Sequence, residues 1–193
     1  RRPPRATLFP YTTLFRSKNL ITFLAIAVGG FALDIATKLW AQSALSQDAL
    51  NPARVEPFTF RLTLAYNHGS AFGLFSDVAG GRWILSVIGL AALYFIYYLY
   101  RRQEIRFKLY RVGLALVAGG ALGNLADRIV FGRVTDFVQM WLFRSIPITW
   151  PWPTYNVADV LLLVGVGCLL IFSFQPEARE LWGDPKPGKA ARK

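Results

Sequence analysis

The chain has 193 residues, 54 % of them hydrophobic, and a formal net charge of +11 from 22 Lys+Arg against 11 Asp+Glu. With a mean hydropathy of +0.35, that composition excludes an ordinary soluble domain and indicates a membrane protein. The positive charge does not indicate a nucleic-acid binder, because the basic residues cluster between apolar runs rather than along one groove or helix face.

One cysteine, Cys168, and one histidine, His68, cannot build the usual zinc sites, and a single cysteine closes no internal disulfide. No metal and no cofactor is expected. Cys168 lies in an apolar run and reads as a small buried hydrophobe. His68 reads as a loop residue.

The first seventeen residues stand apart. Pro10–Ser17, PYTTLFRS, is what one frame of a sequencing-adaptor oligonucleotide encodes. Residues 1–17 are therefore expected to be a non-native leader and are set aside from fold reasoning. Residues 18–175 are expected to form one membrane domain, and 176–193 a basic, disordered cytoplasmic tail.

Leu20 to Leu39 is the first long apolar run, interrupted only by Asp34 and Lys38. At about 1.5 Å per residue it spans the ~30 Å hydrocarbon core. The next stretch, 41–82, is more polar. Within it Phe58, Phe60, Leu62, Leu64 and Tyr66 alternate with Thr59, Arg61, Thr63 and Ala65, a period of two that predicts a half-buried strand. Its buried face is either plain packing or a platform to which an extended peptide adds a strand.

The second span is Trp83–Tyr100 and the third Leu109–Ile129, separated by a loop with Arg101, Arg102, Arg106, Lys108 and Arg111. Residues 131–155 are rich in Trp, Phe and Pro. Pro147, Pro151 and Pro153 rule out a helix there, and Trp141, Trp150 and Trp152 suit a segment lying at the membrane surface. Val157–Phe174 is the fourth span.

Lys and Arg outside the spans set the expected orientation. The 101–111 loop and the tail carry five each, whereas 41–82 and 126–156 carry three each. The positive-inside rule puts both termini in the cytoplasm and the two longer connections outside. Asp34, Asn67, Asp127, Asp136 and Asp159 then all fall at the outer face.

Ionisable residues at bilayer depth are costly and mark function. Asp136 and Asp159 flank an outer connection between neighbouring spans, so their carboxyl groups can face each other. Two close carboxylates do not easily both ionise, and a partly dry site raises at least one of them further. The charged member can deprotonate a water while the neutral one protonates a carbonyl oxygen. The bland alternative is that Asp159 caps the fourth helix. A proton-relaying transporter would string its acids along a path through the membrane rather than gather them at one face. A basic membrane-surface adaptor leaves the paired acids unexplained.

Four ordered motifs carry a family resemblance: DIATK at Asp34–Lys38, LTLAYNHGSAFGLF at Leu62–Phe75, GALGNLADRIVFGRVTDF at Gly120–Phe137, and YNVAD at Tyr155–Asp159. Together they closely resemble the lipoprotein signal peptidases, signal peptidase II, over about residues 18 to 175. The resemblance implies a multi-pass aspartic endopeptidase of the bacterial inner membrane. Its fold would be an all-α bundle of four transmembrane helices with a small periplasmic β-sheet, active near the periplasmic face. It implies cleavage of prolipoproteins on the amino side of the diacylglyceryl-modified cysteine, by a monomer whose other partner is membrane lipid.

Carried over by position, the catalytic pair falls on Asp136 and Asp159. Supporting positions fall on Asp34, Lys38, Asn67, Gly69, Gly120, Asn124, Asp127, Arg128, Val134, Asn156 and Ala158. Ser70 stands where the family more often has Ala, and Tyr155 where it more often has Phe; neither touches the pair. Asn67 and Arg128 are expected to hold substrate backbone or the loops beside the pair. Asp34 and Lys38, four residues apart, either pair with each other or brace the outer loop. Gly119 and Gly123 read as close helix packing.

Overall fold

The computed structural model of the chain describes residues 9–45, 60–68, 80–102, 107–140 and 153–178. They form α1 (Phe9–Ala44), β1 (Phe60–Asn67), α2 (Gly81–Arg102), α3 (Lys108–Val130), β2 (Val134–Met140) and α4 (Val157–Ser173). Three stretches are long and apolar enough to cross a membrane: Lys18–Ala44, Gly81–Tyr100 and Lys108–Val130. Helix α4 is equally apolar and 17 residues long, about 26 Å at 1.5 Å per residue. Helix α1 starts at Phe9, so its first turns fall within the expected leader.

Helix α3 is the hub, packing against α1, α2 and α4, while among the described residues the backbones of α1 and α2 do not approach each other closely. Its small residues explain why. A Cβ on Gly120 would lie 2.5 Å from the Ala158 carbonyl oxygen of α4, and one on Gly119 2.8 Å from the Ala27 carbonyl oxygen of α1. A Cβ on Gly123 would run into the Asp34 carboxylate. Transmembrane helices gain from such close backbone approach because lipid supplies no hydrophobic drive between them. The glycine pair expected to pack helices does so, on α1, and Gly120 does the same on α4.

Gly132 ends α3 and turns the chain back. Phe131 N–H donates to Asp127 O at 2.8 Å and Gly132 N–H to Arg128 O at 3.2 Å. Gly132 then takes φ +70°, a left-handed conformation that suits glycine after a helix. Strand β2 follows at once and returns along the outer end of the bundle.

The two strands pair antiparallel, Asn67 opposite Val134 and Phe60 opposite Met140. The register slips once, between Leu62 and Ala65, so that Thr63 and Leu64 together oppose Phe137. This bulge corrects the expected alternation. Leu62 is 51 % exposed, while Thr63 and Leu64 are both buried at 8 %; an extra residue resets which side chains point inward. Leu64 packs with Phe137 and Ala41 in a small cluster under the sheet. Phe58 lies outside the described residues.

Strand β2 is itself a correction to the expected surface segment at 131–155. Val134, Thr135, Asp136 and Phe137 are all buried in succession, so the strand shows no alternation. Trp141, Trp150 and Trp152 lie outside the described residues. Tyr155 N–H donates to Val138 O and Val138 N–H to Tyr155 O, both at 2.9 Å, which ties the start of α4 to the free edge of β2. At the other end, residues 179–193 of the expected tail lie outside the described residues. Residues 176–178 form a helical turn and Ala178 is buried in the main core beside Tyr110 and Phe172. Cys168 is half-buried rather than buried, and His68 is exposed just after β1.

Gly120→Ala is expected to lower the unfolding free energy in detergent by about 1–3 kcal/mol, because a main-chain carbonyl cannot give way cheaply. Gly29→Ala meets nothing within 4 Å and is expected to melt no lower than wild type. Equal melting of the two variants in a thermal-unfolding assay would contradict the packing account.

Candidate active site

The site is built outward from one buried ammonium. Lys38, 1 % exposed, places its Nζ 2.7 Å from Asp34 Oδ2 and 3.3 Å from Asp127 Oδ2. It also donates to Asn124 Oδ1 at 3.1 Å. Of the two readings of Asp34 and Lys38, the pairing is the one seen, and Asp34 braces the start of α4 rather than an outer loop. They pair with each other, one helical turn apart, and Asp34 Oδ1 also accepts from the Ala158 N–H at 2.8 Å. That bond joins α1 to the first turn of α4. Asp127 reaches in the other direction, accepting from the Thr135 N–H at 2.8 Å, and so joins α3 to β2.

Asn124 passes the order on. Its Nδ2 donates to Asp159 Oδ1 at 2.8 Å, while its Oδ1 accepts from Asn156 Nδ2 at 3.1 Å. Asn156 is wholly buried. Its side chain accepts from the Asp159 N–H at 3.0 Å and its own N–H donates to Asp159 Oδ2 at 3.1 Å. This reciprocal pair is a capping box at the start of α4. The capping alternative for Asp159 is therefore real, but it occupies only one carboxylate oxygen.

Asn156 Nδ2 also donates to Asp136 Oδ1 at 2.7 Å, and Asn67 Nδ2 to Asp136 Oδ2 at 3.3 Å. Asn156 thus holds both carboxylates, Asp136 through its side-chain amide and Asp159 through its main-chain N–H. Burial, and second the charge of Asp159, push the Asp136 carboxyl up to about 7; the Asn156 and Asn67 donors and the Lys38 charge pull it the other way. Arg128 donates to the Asn124 carbonyl oxygen at 3.1 Å and lies in electrostatic contact with Asp159, Asp136 and Asp127. Arg133 stacks on the Tyr66 ring, its guanidinium carbon 3.5 Å from the centroid, beside the Asn67–Val134 rung.

The structure therefore brings together Asp34, Lys38, Asn67, Asn124, Asp127, Arg128, Asp136, Asn156 and Asp159. Val134 is buried opposite Asn67, and Gly120 and Ala158 form the close α3–α4 contact behind them. Gly69 and Ser70 lie outside the described residues. Two participants escaped the sequence reading. Gln42 donates to Thr135 Oγ1 at 2.8 Å, and Thr135, beside Asp136, is 1 % exposed. A signal for Gln42 existed, since Asp34, Lys38 and Gln42 recur every four residues on one helix face.

Apolar helices that close over a buried carboxylate cluster define a membrane-embedded enzyme, and the comparisons agree. The profile of the family Signal peptidase (SPase) II matches residues 26–175. A lipoprotein signal peptidase of Methylorubrum extorquens is 39 % identical over 86 % of this chain and 91 % of its own length. The one of Polynucleobacter necessarius is 38 % identical over 80 % and 90 %. A bacterial membrane enzyme solved by the in meso method superposes with a TM-score of 0.64 at 25 % identity, covering 87 % of this chain and 94 % of that one. A second such structure, at 24 % identity, shares the fold with a TM-score of 0.66. The chain belongs to the signal peptidase II family, whose members are proteases of the aspartic type that process prolipoproteins.

Two outcomes follow from the site's electrostatics. Lys38→Met leaves Asp34, Asp127 and Asn124 facing a hydrocarbon stem, at a cost of about 3–5 kcal/mol. The variant is expected to melt far below wild type in detergent, and an unchanged melting curve would remove Lys38 from the centre of the network. Asp136 binds its proton more tightly folded than its ordinary value of 3.8 allows. Between that value and about 7 the folded chain holds a proton the unfolded chain has released, so stability falls as pH rises through the window. Asp136→Asn is expected to flatten that dependence and to melt above wild type on the alkaline side. A melting temperature parallel to wild type across this range would refute the shift.

Proposed function

We propose that Asp136 and Asp159 are the catalytic pair and that they cleave the signal peptide from prolipoproteins on the amino side of the diacylglyceryl-modified cysteine. The observation that carries the reading is Asn156, whose side-chain amide donates to the Asp136 carboxylate while its main-chain N–H donates to that of Asp159. One residue that holds both groups fixes two acids relative to each other, as a shared water requires.

The environments assign the roles. Asp136, buried and raised to about 7, holds the proton and hydrogen-bonds the scissile carbonyl oxygen. Asp159, whose carboxylate accepts from Asn124 Nδ2 and from the Asn156 N–H, acts as the base. It takes a proton from water as the water oxygen bonds to the carbonyl carbon, and Asp136 gives its proton to the carbonyl oxygen. The tetrahedral gem-diol then collapses. Asp159 returns its proton to the departing amine nitrogen, the C–N bond breaks, and Asp136 recovers a proton from the remaining hydroxyl. Water is consumed, and both acids end as they began. Arg128 faces the charge that grows during the first step.

Helix α4 completes a four-span bundle in this reading. Asp34 late in α1, Asp127 late in α3 and Asp159 early in α4 put the pair at one membrane end. The loop charges make that end the periplasmic face of the inner membrane, with both termini cytoplasmic. The enzyme acts as a monomer in this reading.

Asp136→Asn and Asp159→Asn are each expected to insert, to retain the fold, and to cut a diacylglyceryl-modified prolipoprotein at least about 10³-fold more slowly. EDTA is expected to leave wild type active. The kcat/KM profile is expected to fall as pH rises past about 7, where Asp136 loses its proton, and to fall again on the acid side when the base is protonated. The two apparent pKa values belong to the pair. An active single variant, or a chelator-inhibited enzyme, would overturn the assignment.

A further inference from the structure

At the opposite end of the bundle α1 and α2 diverge. Each leans on α3 with no close backbone approach between the two, and the space between them is a groove of about 280 Å³. Leu20, Phe23 and Leu24 of α1 form one wall, Leu93 and Ile96 of α2 the other, and Ala118 of α3 the floor. The small floor residue is what gives the groove depth. At its mouth the Phe23 and Tyr100 rings lie 5.6 Å apart, and the exposed Tyr97 stands beside them.

The mouth is basic. Lys18 lies two residues before Leu20 and is exposed, and Lys108, at the start of α3, is exposed as well. Arg111 donates to Asn19 Oδ1 at 2.8 Å, which brings α3's first turn to the α1 wall. The described residues Lys18 to Leu24, Leu93 to Tyr100 and Phe107 to Ala118 include no Asp or Glu. Wholly apolar walls under a positive rim with tyrosines at the junction match a molecule with a hydrocarbon chain and an anionic head. A helix about 10–12 Å across does not enter a groove of this volume, whereas an extended acyl chain does.

We propose that this groove is a binding site for an anionic phospholipid of the leaflet facing away from Asp136 and Asp159. One acyl chain lies on Ala118 between Phe23 and Leu93. The phosphate meets Lys18, Lys108 and the Arg111 side of the mouth. The lipid fills the space that α1 and α2 leave open, and so holds both helices against α3 at this end.

The test is native mass spectrometry of the purified full chain, delipidated in detergent and exposed to equimolar phosphatidylglycerol and phosphatidylcholine with the same acyl chains. Wild type is expected to retain phosphatidylglycerol about fivefold more, the size expected for a cation near a membrane phosphate. The double variant Lys18→Gln, Lys108→Gln is expected to lose that preference while still retaining lipid. Leu24→Trp, at a lipid-facing position that tolerates bulk, is expected to fill the groove and reduce retention of both lipids, with prolipoprotein cleavage in detergent unchanged. Equal retention of the two lipids by wild type would overturn the proposal, as would wild-type retention by Leu24→Trp. Displacement by inorganic phosphate alone would show a site for the ion only and overturn it too. Displacement by a signal-peptide segment would assign the groove to substrate instead. Because lipid retention is read without proteolysis, its failure is separable from failure of the catalytic assignment.

Discussion

The bond from which the rest hangs is the contact of one ammonium, Lys38, with two carboxylates and an amide at bilayer depth. A lone cation in hydrocarbon is expensive, and so is a lone carboxylate. Together they are tolerable, but only if the helices carrying them close to within side-chain reach. Lys38 and Asp34 come from α1, Asp127 and Asn124 from α3, and Asp34 reaches the first turn of α4 through the Ala158 N–H. The burial cost of the charges thus works as a positional constraint: any rotation of α1 or α3 that separated them would leave an unpaired charge in an apolar bundle.

Glycines make that closure possible. Gly119, Gly120 and Gly123 lie on the faces that α3 turns to α1 and α4, and each has a neighbour's backbone or carboxylate where a Cβ would stand. Gly123 and Asp34 are therefore one feature, since the carboxylate occupies the room the missing side chain leaves. Beyond the helix, Gly132 reverses the chain so that Thr135 N–H meets Asp127 and Asp136 faces Asn156. Packing and polar order are coupled here. The small residues bring the helices close, and closeness makes the hydrogen bonds short enough to fix the acids.

Much of this was legible in sequence because it is carried by residue types that are out of place. Asp, Asn and Lys inside apolar helical runs are conspicuous, and Asp34, Lys38, Asn124, Asp127 and Asp159 stand out for that reason. The three long spans follow from length and hydropathy alone. Strand β2 was not visible, because a strand buried on both faces loses the alternation by which strands are read; VTDFVQM carries only its β-branched residues as a hint. The bulge at Thr63 was hidden for a different reason. Alternation continues in the letters through Leu62 and Leu64, and only pairing with Phe137 shows that one residue is extra. Backbone-mediated links, such as Tyr155 on Val138 and Asp34 on the Ala158 N–H, use main-chain groups that every residue has, so no side chain announces them.

Two aspartates of identical chemistry are made unequal by what reaches them. Counting the site as a whole, Asp34, Asp127, Asp136 and Asp159 face two cations, Lys38 and Arg128. With all four ionised, two negative charges are unbalanced in a partly dry space. A proton on one acid halves that excess, and the question is which acid carries it most cheaply. Asp159 sits at a helix start, where the Asn156 N–H it accepts and the positive end of the helix face its carboxylate. Asp136 sits in the middle of a buried strand, with no helix dipole behind it, and its two donors are both neutral amides. The cheaper proton is therefore on Asp136. The same asymmetry that lowers the cost of burying the cluster supplies one acid and one base, so the pair needs no third group to set its roles.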